Sequence, residues 1–467
     1  MKTLRGSNCR LLLFAALPLA AVARPSALAR HVFEVRAAAE VVATLQASCR
    51  PCSWEVAGRE AAVLALFVDG RYSQHLPLVR GEEAADYRVS LGALPAGQHA
   101  LEVRLDRGAT PAAVTEVGVL SVDTLLVGAA DPEHAALSHA PILYARAGAL
   151  SRFSDVPLVM WHETEKTPRG RRIRYSVVFS HEDGGTPADR LMATWGRLSD
   201  IEFVYDVELD DSGRILSQTY QGRDHRILPF GGRREGRHPL LWVATENNML
   251  ADRGAAQERL ALVPVAFDLA GVSREAVMDA FPWTYRISAQ EVRREGRVAP
   301  DALPGSEKVK DPRRFVHVEA CAETQDAALA FGIGLDDDSG QLSFFDSDAG
   351  LPKFRISRSP DHFPNGCFRG AVALPDGVSA ARIRALRFRA FTRLPARGEA
   401  PLPPGSGRAR LLRVNRVFML DADDLPGASL FAWKGDIRLA PEGAAIELAV
   451  RSPAARATAG GTKGPER

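Results

Sequence analysis

Beyond its first thirty residues the chain has no apolar run of the length, about 20 residues, that crosses a bilayer. The nearest approach, "LALVPVAFDLAG", is short and broken by Pro264 and Asp268. Several enzyme signatures are missing too. There is no G-x-S-x-G nucleophile elbow, no H-E-x-x-H zinc helix, no phosphate-binding P-loop and no glycine-rich dinucleotide turn. "HETEK" at His162 lacks the second histidine, one helical turn on, that a zinc protease needs. These absences argue against the common serine hydrolases, zinc proteases and nucleotide enzymes. Charge of one sign is also lacking: 59 basic residues face 57 acidic ones, for a formal net charge of +2, which argues against a dedicated nucleic-acid binder. Lysine is scarce. Only seven of the basic residues are lysine, a skew that fits a GC-rich bacterial coding sequence better than selection for phosphate contacts. The local clusters "KTPRGRRIR", "GGRREGRHP" and "EVRREGR" read as solvated loops, each able to face an anionic polymer.

The first residues hold a different pattern. Lys2, Arg5 and Arg10 precede an apolar run from Leu11 to Ala23, with A-x-A cleavage signatures ending at Ala23 and Ala29. Residues 1–29 are therefore expected to be a secretory signal peptide. No cysteine follows either cleavage site as a lipid anchor requires, so an exported protein, periplasmic or extracellular and without a transmembrane segment, is expected. Cysteine usage agrees. Of five cysteines Cys9 leaves with the leader, and the remaining four form an even set, most simply paired as Cys49–Cys52 and Cys321–Cys367. "CRPC" has the spacing of a redox site as well. Such sites open a helix after a strand, whereas "CRPCSWEVAG" runs into strand-like sequence, which favours a structural staple.

Removing the leader leaves about 440 residues, room for roughly three domains of about 150 residues. Residues 31–125 alternate short strands with Gly- and Pro-containing turns, as in "AAVLALFVDGRYSQHLPL", the pattern of an immunoglobulin-like β-sandwich. Residues 135–290 form a central β-rich domain. There "IRYSVVFSHEDGG" places Ile173, Tyr175, Val177, Phe179 and His181 on one face, and "LDDSGR" joins the next two strands as a hairpin. Only "TPADRLMATWG" and "SREAVMDAFP" read as helices. Residues 315–450 give six strand-like segments, a C-terminal β-sandwich or jelly roll. The tail 451–467 is disordered by composition. The expected class is all-β, mainly antiparallel, with three sandwich-like units and few short helices.

Candidate chemistry concentrates in the central domain. In "WGRLSDIEFVYDVELDDSGRI" acidic and apolar residues alternate, so Asp200, Glu202, Asp206 and Glu208 are expected to share one face and Ile201, Phe203, Tyr205, Val207 and Leu209 the other. The acidic face is either a site or the wet side of a sheet; for Asp206 and Glu208 the reading is water. His162 with Glu163, His181 to Asp183, Asp200 with Glu202, and Asp224 with His225 fall at neighbouring strand ends. Carboxylates and imidazoles gathered there would suit a divalent cation (Ca or Mg) or acid/base work. His181 shares a face with Tyr175 and Phe179 and is expected as a satisfied core or rim histidine. Two glycines in "SHEDGG" would let backbone approach a ligand, yet a strand ending in a DGG turn needs none, and the plain turn is the favoured reading. Asp346 and Asp348 have the oxygen chemistry of calcium loops, but without a spaced bidentate glutamate they read as hairpin turns.

The segment "GRLSDIE", Gly196 to Glu202, resembles the G-H-R-H-D-W-E heptad of the necrosis- and ethylene-inducing-peptide-like proteins, secreted β-sandwiches that bind a divalent cation and sphingolipid headgroups. Their vacuolar-sorting relatives end the next strand with a tyrosine and a histidine, as "TYQGRDH" does. The likeness covers about thirty residues and keeps the glycine, Asp200 and Glu202, while both histidines and the tryptophan are missing. It implies a cation held by Asp200, Glu202 and an acid some eight residues upstream, Asp189. Arg197 stands where a metal-binding histidine would be, and a guanidinium there can neutralise two carboxylates without Lewis acidity. The function expected from these residues is recognition of an extracellular glycan, glycoconjugate or anionic polymer at a cleft edged by Asp183, Arg197, Asp200, Glu202 and His225. The alternative is a secreted hydrolase or lyase acting on polysaccharide or phosphoester, with the carboxylates and His225 as acid/base groups or cation ligands.

Overall fold

The structure, a computed structural model, describes residues 27–182, 184–336, 340–357, 366–396 and 398–450. The expected leader up to residue 26, the tail 451–467 and Asp183 lie outside the described residues. About 48% of the chain is strand and 11% helix, with nearly all strand pairs antiparallel, so the class is all-β.

The strands form three pairs of sheets, each pair closing over apolar side chains from both members. In the first, a four-stranded sheet ordered Ala29–Val35, Gly97–Leu105, Val63–Val68, Arg71–Pro77 packs on a three-stranded one ordered Ala85–Leu94, Ala39–Arg50, Glu116–Val127. Leu64 and Leu101 of one sheet meet Leu45 and Val89 of the other in a shared core. The last pair sets Cys367–Ala373, Phe315–Gln325, Arg408–Met419 and Phe431–Leu439 against a sheet centred on Ala327–Asp336 and Ile383–Thr392. Cys49 is bonded to Cys52, and Cys321 to Cys367; the latter two are direct cross-strand partners.

Between these pairs lies a six-stranded sheet ordered Arg226–Pro229, Ile215–Gly222, Asp200–Leu209, Gly170–Phe179, Pro157–Thr167, Val265–Ala266. Its inner face carries Ile173, Tyr175, Val177 and Phe179 onto Leu143, Leu241 and Val243 of a second sheet. One end of its outer face is covered as well. Val159, Trp161, Val178 and Ile201 join the core of the N-terminal sandwich and pack with Val277, Met278 and Ile287. A sheet buried on both faces loses the polar side that simple alternation predicts.

The two expected helices form, as Ala188–Trp195 and Ala276–Ala280. The longest helix, Trp283–Arg294, was not legible in the sequence. Its buried stripe includes Thr284, Ser288 and Glu291, so apolar residues alone do not trace the helical period. Glu291 earns its burial by accepting from Trp54 Nε1 at 2.9 Å, which ties the helix to the N-terminal sandwich.

Two glycines and one arginine stand at the closest approach of the C-terminal sandwich to the central unit. Helix Ala188–Trp195 ends at Gly196 in the left-handed region (φ 61°), where an added Cβ would lie 2.7 Å from Arg369 Cγ and 3.1 Å from Gly370 backbone. A Cβ on Gly370 would in turn lie 2.7 Å from the Ala193 carbonyl oxygen. Arg369, fully buried, donates to Asp279 Oδ2 at 2.7 Å, to Glu319, to the Tyr285 hydroxyl and to the Glu275 carbonyl oxygen at 3.3 Å. It thereby clamps the short helix Ala276–Ala280 and the residue just before it. Gly196→Ala should cost roughly 2–4 kcal/mol, from the left-handed backbone and the lost close approach together. Chemical denaturation of the variant checks this, and a loss below about 0.5 kcal/mol, within the range of a neutral surface change, would contradict the packing account.

Candidate functional site

The strand Asp200–Leu209 pairs with Gly170–Phe179 in a register that answers the question its alternation raises. Tyr205 opposes Tyr175, but Phe203 opposes Ser176, so Val204 is an extra residue and the strand bulges there. Before the bulge Asp200 and Glu202 stand opposite Phe179 and Val177, on the inner face. After it Asp206 and Glu208 stand opposite Arg174 and Arg172, on the outer face. The four acids therefore do not share a face, which corrects the expectation from alternation.

Nor do Asp206 and Glu208 stand in water. Arg172 and Arg174 reach Asp206 at 3.4 and 3.3 Å, Arg169 Nε donates to Glu208 at 3.2 Å, and both acids are buried under this cover.

Asp200 and Glu202 open instead into a cavity of ≈ 310 Å³ at the end of the central sheet. Five segments join the strand Asp200–Leu209 to build it: the turn after Phe179 gives Glu182, the helix Ala188–Trp195 gives Arg190 and Trp195, the strand end Gln221 to His225 forms a rim, and Asn247 and Arg274, from two further segments, complete the wall. Gly196 reverses the chain after the helix, so Arg197 turns back 3.5 Å from Asp200 and 3.4 Å from Glu275 while donating to the Ser199 carbonyl oxygen. Asn248 Nδ2 donates to Asp200 Oδ2 at 3.0 Å. Gln221 Nε2 donates to Glu202 and, at 3.1 Å, to His225 Nδ1, which lies 4.0 Å from the Glu202 carboxylate. His225 follows Asp224 in a tight turn, and both hold positive φ without being glycine (55° and 58°), a backbone conformation that favours glycine.

Burial governs the charges here. It raises the carboxyl of Glu182 to about 8, helped by the negative charge of Asp200. Burial likewise lifts Asp200, against the pull of Arg197 and Asn248, and lifts Glu202 well above the usual carboxylate range, again with Asp200 adding to it. Glu182 Oε1 accepts from the Thr186 amide at 2.9 Å. An added Cβ on Gly185 would lie 2.5 Å from that same oxygen, so the second glycine of "EDGG" is what lets the carboxyl fold back over the turn.

Of the expected site residues, Arg197, Asp200, Glu202 and His225 come together, and Asp183 lies outside the described residues. Asp189 does not join them. It lines a separate cavity beside Phe315 and Phe345 and accepts from the Gly305 amide, because the helix turns it toward the C-terminal sandwich. The set Asp189, Asp200, Glu202 implied by the heptad resemblance is thus not assembled, and no group of three or more His, Cys, Asp or Glu side chains disposed to hold a metal ion occurs among the described residues. His162 and Glu163 line a third groove, and Asp224 is exposed. His181 is wholly buried, its Nδ1 on the Leu198 carbonyl oxygen at 2.6 Å and its Nε2 accepting from Arg297 at 2.8 Å. Asp346 is held by Arg387 and Arg389, and Asp348 by Arg355 at 2.9 Å, so these oxygens serve turn and sheet.

Sequence reasoning missed Arg190, Gln221, Asn247 and Arg274 as wall residues. Glu182 lay within the acidic triplet already singled out. The others carried no local signal, since each comes from a different element.

No protein-family model and no curated protein matches the chain. Several solved structures show partial likeness, two among them as follows. One, "NLPPya in complex with mannosamine", has 14% identity and a TM-score of 0.21, covering 29% of this chain and 73% of that one. The other, a GH2 β-galacturonidase from Eisenbergiella tayi bound to galacturonate, has 13% identity and a TM-score of 0.15, covering 33% of this chain and 22% of that one. At these scores neither likeness assigns a fold or a function.

The raised carboxyl of Glu182 sets the sign of a pH effect. Between pH 4.5 and about 8 the unfolded chain releases this proton and the folded protein keeps it, so its contribution to stability falls as pH rises through that window. Glu182→Gln should therefore melt like the parent near pH 4.5 and be more stable by about 1–3 kcal/mol at pH 7. Melting curves across this range, with the variant losing stability in parallel with the parent, would contradict the assignment.

Proposed function

We propose that this is an exported protein that recognises an extracellular glycan in the cavity around Asp200 and Glu202. The observation that carries this reading is the mixture of groups in one small, largely polar enclosure. Acceptors (Glu182, Asp200, Glu202) and donors (Arg190, Gln221, Asn247) face the same space. A polyhydroxylated ligand satisfies both kinds at once, since each hydroxyl donates and accepts, whereas an apolar one would leave buried polar groups unpaired. Trp195 in the wall offers a flat apolar surface of the kind a sugar ring covers. The left-handed pair Asp224 and His225 at the rim is the local strain that a binding function would explain. The flanking sandwiches serve in this reading as supports, and the C-terminal one reaches the cavity through Arg369, Glu275 and Arg197.

A second reading rests on one specific observation. Glu182, its carboxyl raised to about 8 by burial and the Asp200 charge, shares the cavity with Asp200 and Glu202, and a carboxyl so raised beside others is the equipment of general acid/base catalysis. In that case the protein is a hydrolase or lyase acting on polysaccharide or phosphoester, with or without a divalent cation. The double variant Asp200→Asn with Glu202→Gln should lose at least tenfold in affinity on a glycan array while its melting temperature at pH 7 stays within a few degrees or rises. Retention of binding by the variant would refute the reading. Release of shortened product by the parent alone, or a stoichiometric metal in elemental analysis that the variant lacks, would move the site to the enzymatic reading.

A further inference from the structure

Of the guanidinium groups in the cavity wall, Arg197 is committed to Asp200, Glu275 and the Ser199 carbonyl oxygen. Arg190 is different. It forms no ion pair among the described residues, its Nε is buried without a hydrogen-bond partner, and its guanidinium lies 5.9 Å from the centroid of the Trp195 ring. The nearby carboxyl that acts on it is Glu182, whose Oε1 is already engaged by the Thr186 amide. A cation in a partly desolvated wall without a counter-ion is costly, and a bound anion removes that cost.

We infer that the glycan carries a carboxylate, as a uronic acid residue does, and that Arg190 receives it. This rests on the glycan reading above and adds the class of sugar. The planar fork of a guanidinium matches a carboxylate through two parallel hydrogen bonds, and the Trp195 ring lies 5.9 Å from this one. On the strand, Asp200 and Glu202 then exchange hydrogen bonds with ring hydroxyls. The negative charge of Asp200 disfavours a ligand of higher negative charge, such as a sugar phosphate, so a single carboxylate fits best.

The test compares methyl glycosides that differ only at the sixth carbon. Methyl galactoside and methyl glucoside are titrated against the corresponding uronides, with galactosamine as a cationic control, by calorimetry or saturation-transfer NMR on the full chain. The uronides should bind about tenfold tighter or more than the neutral glycosides. Arg190→Gln should erase that advantage, so that uronide and neutral glycoside bind the variant alike. Arg190→Lys, which keeps a charge but loses the fork, should keep part of it and serves as the reporter if the glutamine variant fails to fold. Equal or tighter binding of the neutral or amino sugar would overturn the inference and leave the glycan reading standing. Binding of none of these sugars would overturn both.

Discussion

One extra residue in one strand decides where the charge of this protein goes. Without the bulge at Val204, the acids of "DIEFVYDVEL" would line a single outer face beside Arg172 and Arg174. With it, Asp200 and Glu202 turn inward next to Phe179 and Val177, and the outer face of the same strand end, at Ile201, seals against the N-terminal core. A bulge adds local twist and re-aims side chains, and here it divides one acidic stripe into a structural half and a half that faces a cavity.

The inward half is held at a cost. Three carboxyls in a buried enclosure repel one another and lose their water, and the protein offsets this with Arg197, with the amides of Asn248 and Gln221, and by keeping protons that exposed carboxyls would release. Well-packed apolar residues in the same positions would give a more stable fold. Natural chains keep such arrangements where a site needs them, and a polar cavity with a strained rim at Asp224 and His225 fits that pattern.

The cavity also depends on sequence far from it. Glu275, which pairs with Arg197, sits just before a short helix that Arg369 of the C-terminal sandwich clamps through Asp279, Tyr285 and the Glu275 carbonyl oxygen. The close approach at Gly196 and Gly370 brings those parts within reach. The third unit therefore completes the electrostatics of the central one, and the segment "SREAVMDAFP", legible only as a helix, supplies Arg274 to the wall and Glu275 to the support.

Much of this was readable in the sequence because it depends on local periodicity: strands alternate at a period of two, turns need Gly, Asp and Asn, and the helix Ala188–Trp195 announces itself between Pro187 and Gly196. Asp200 and Glu202 stood out for the same reason, His225 through its place at a strand end, and Arg197 through the heptad likeness. What the sequence alone cannot express is which way each of these points. The bulge, the second cover over the central sheet and the turning of Asp189 toward another cavity all arise from contacts between residues distant in the chain, and they decide which charges lose their water. Local pattern thus determined the elements and their residues, while the partner across each surface determined whether a carboxylate became a covered ion pair or part of a cavity wall.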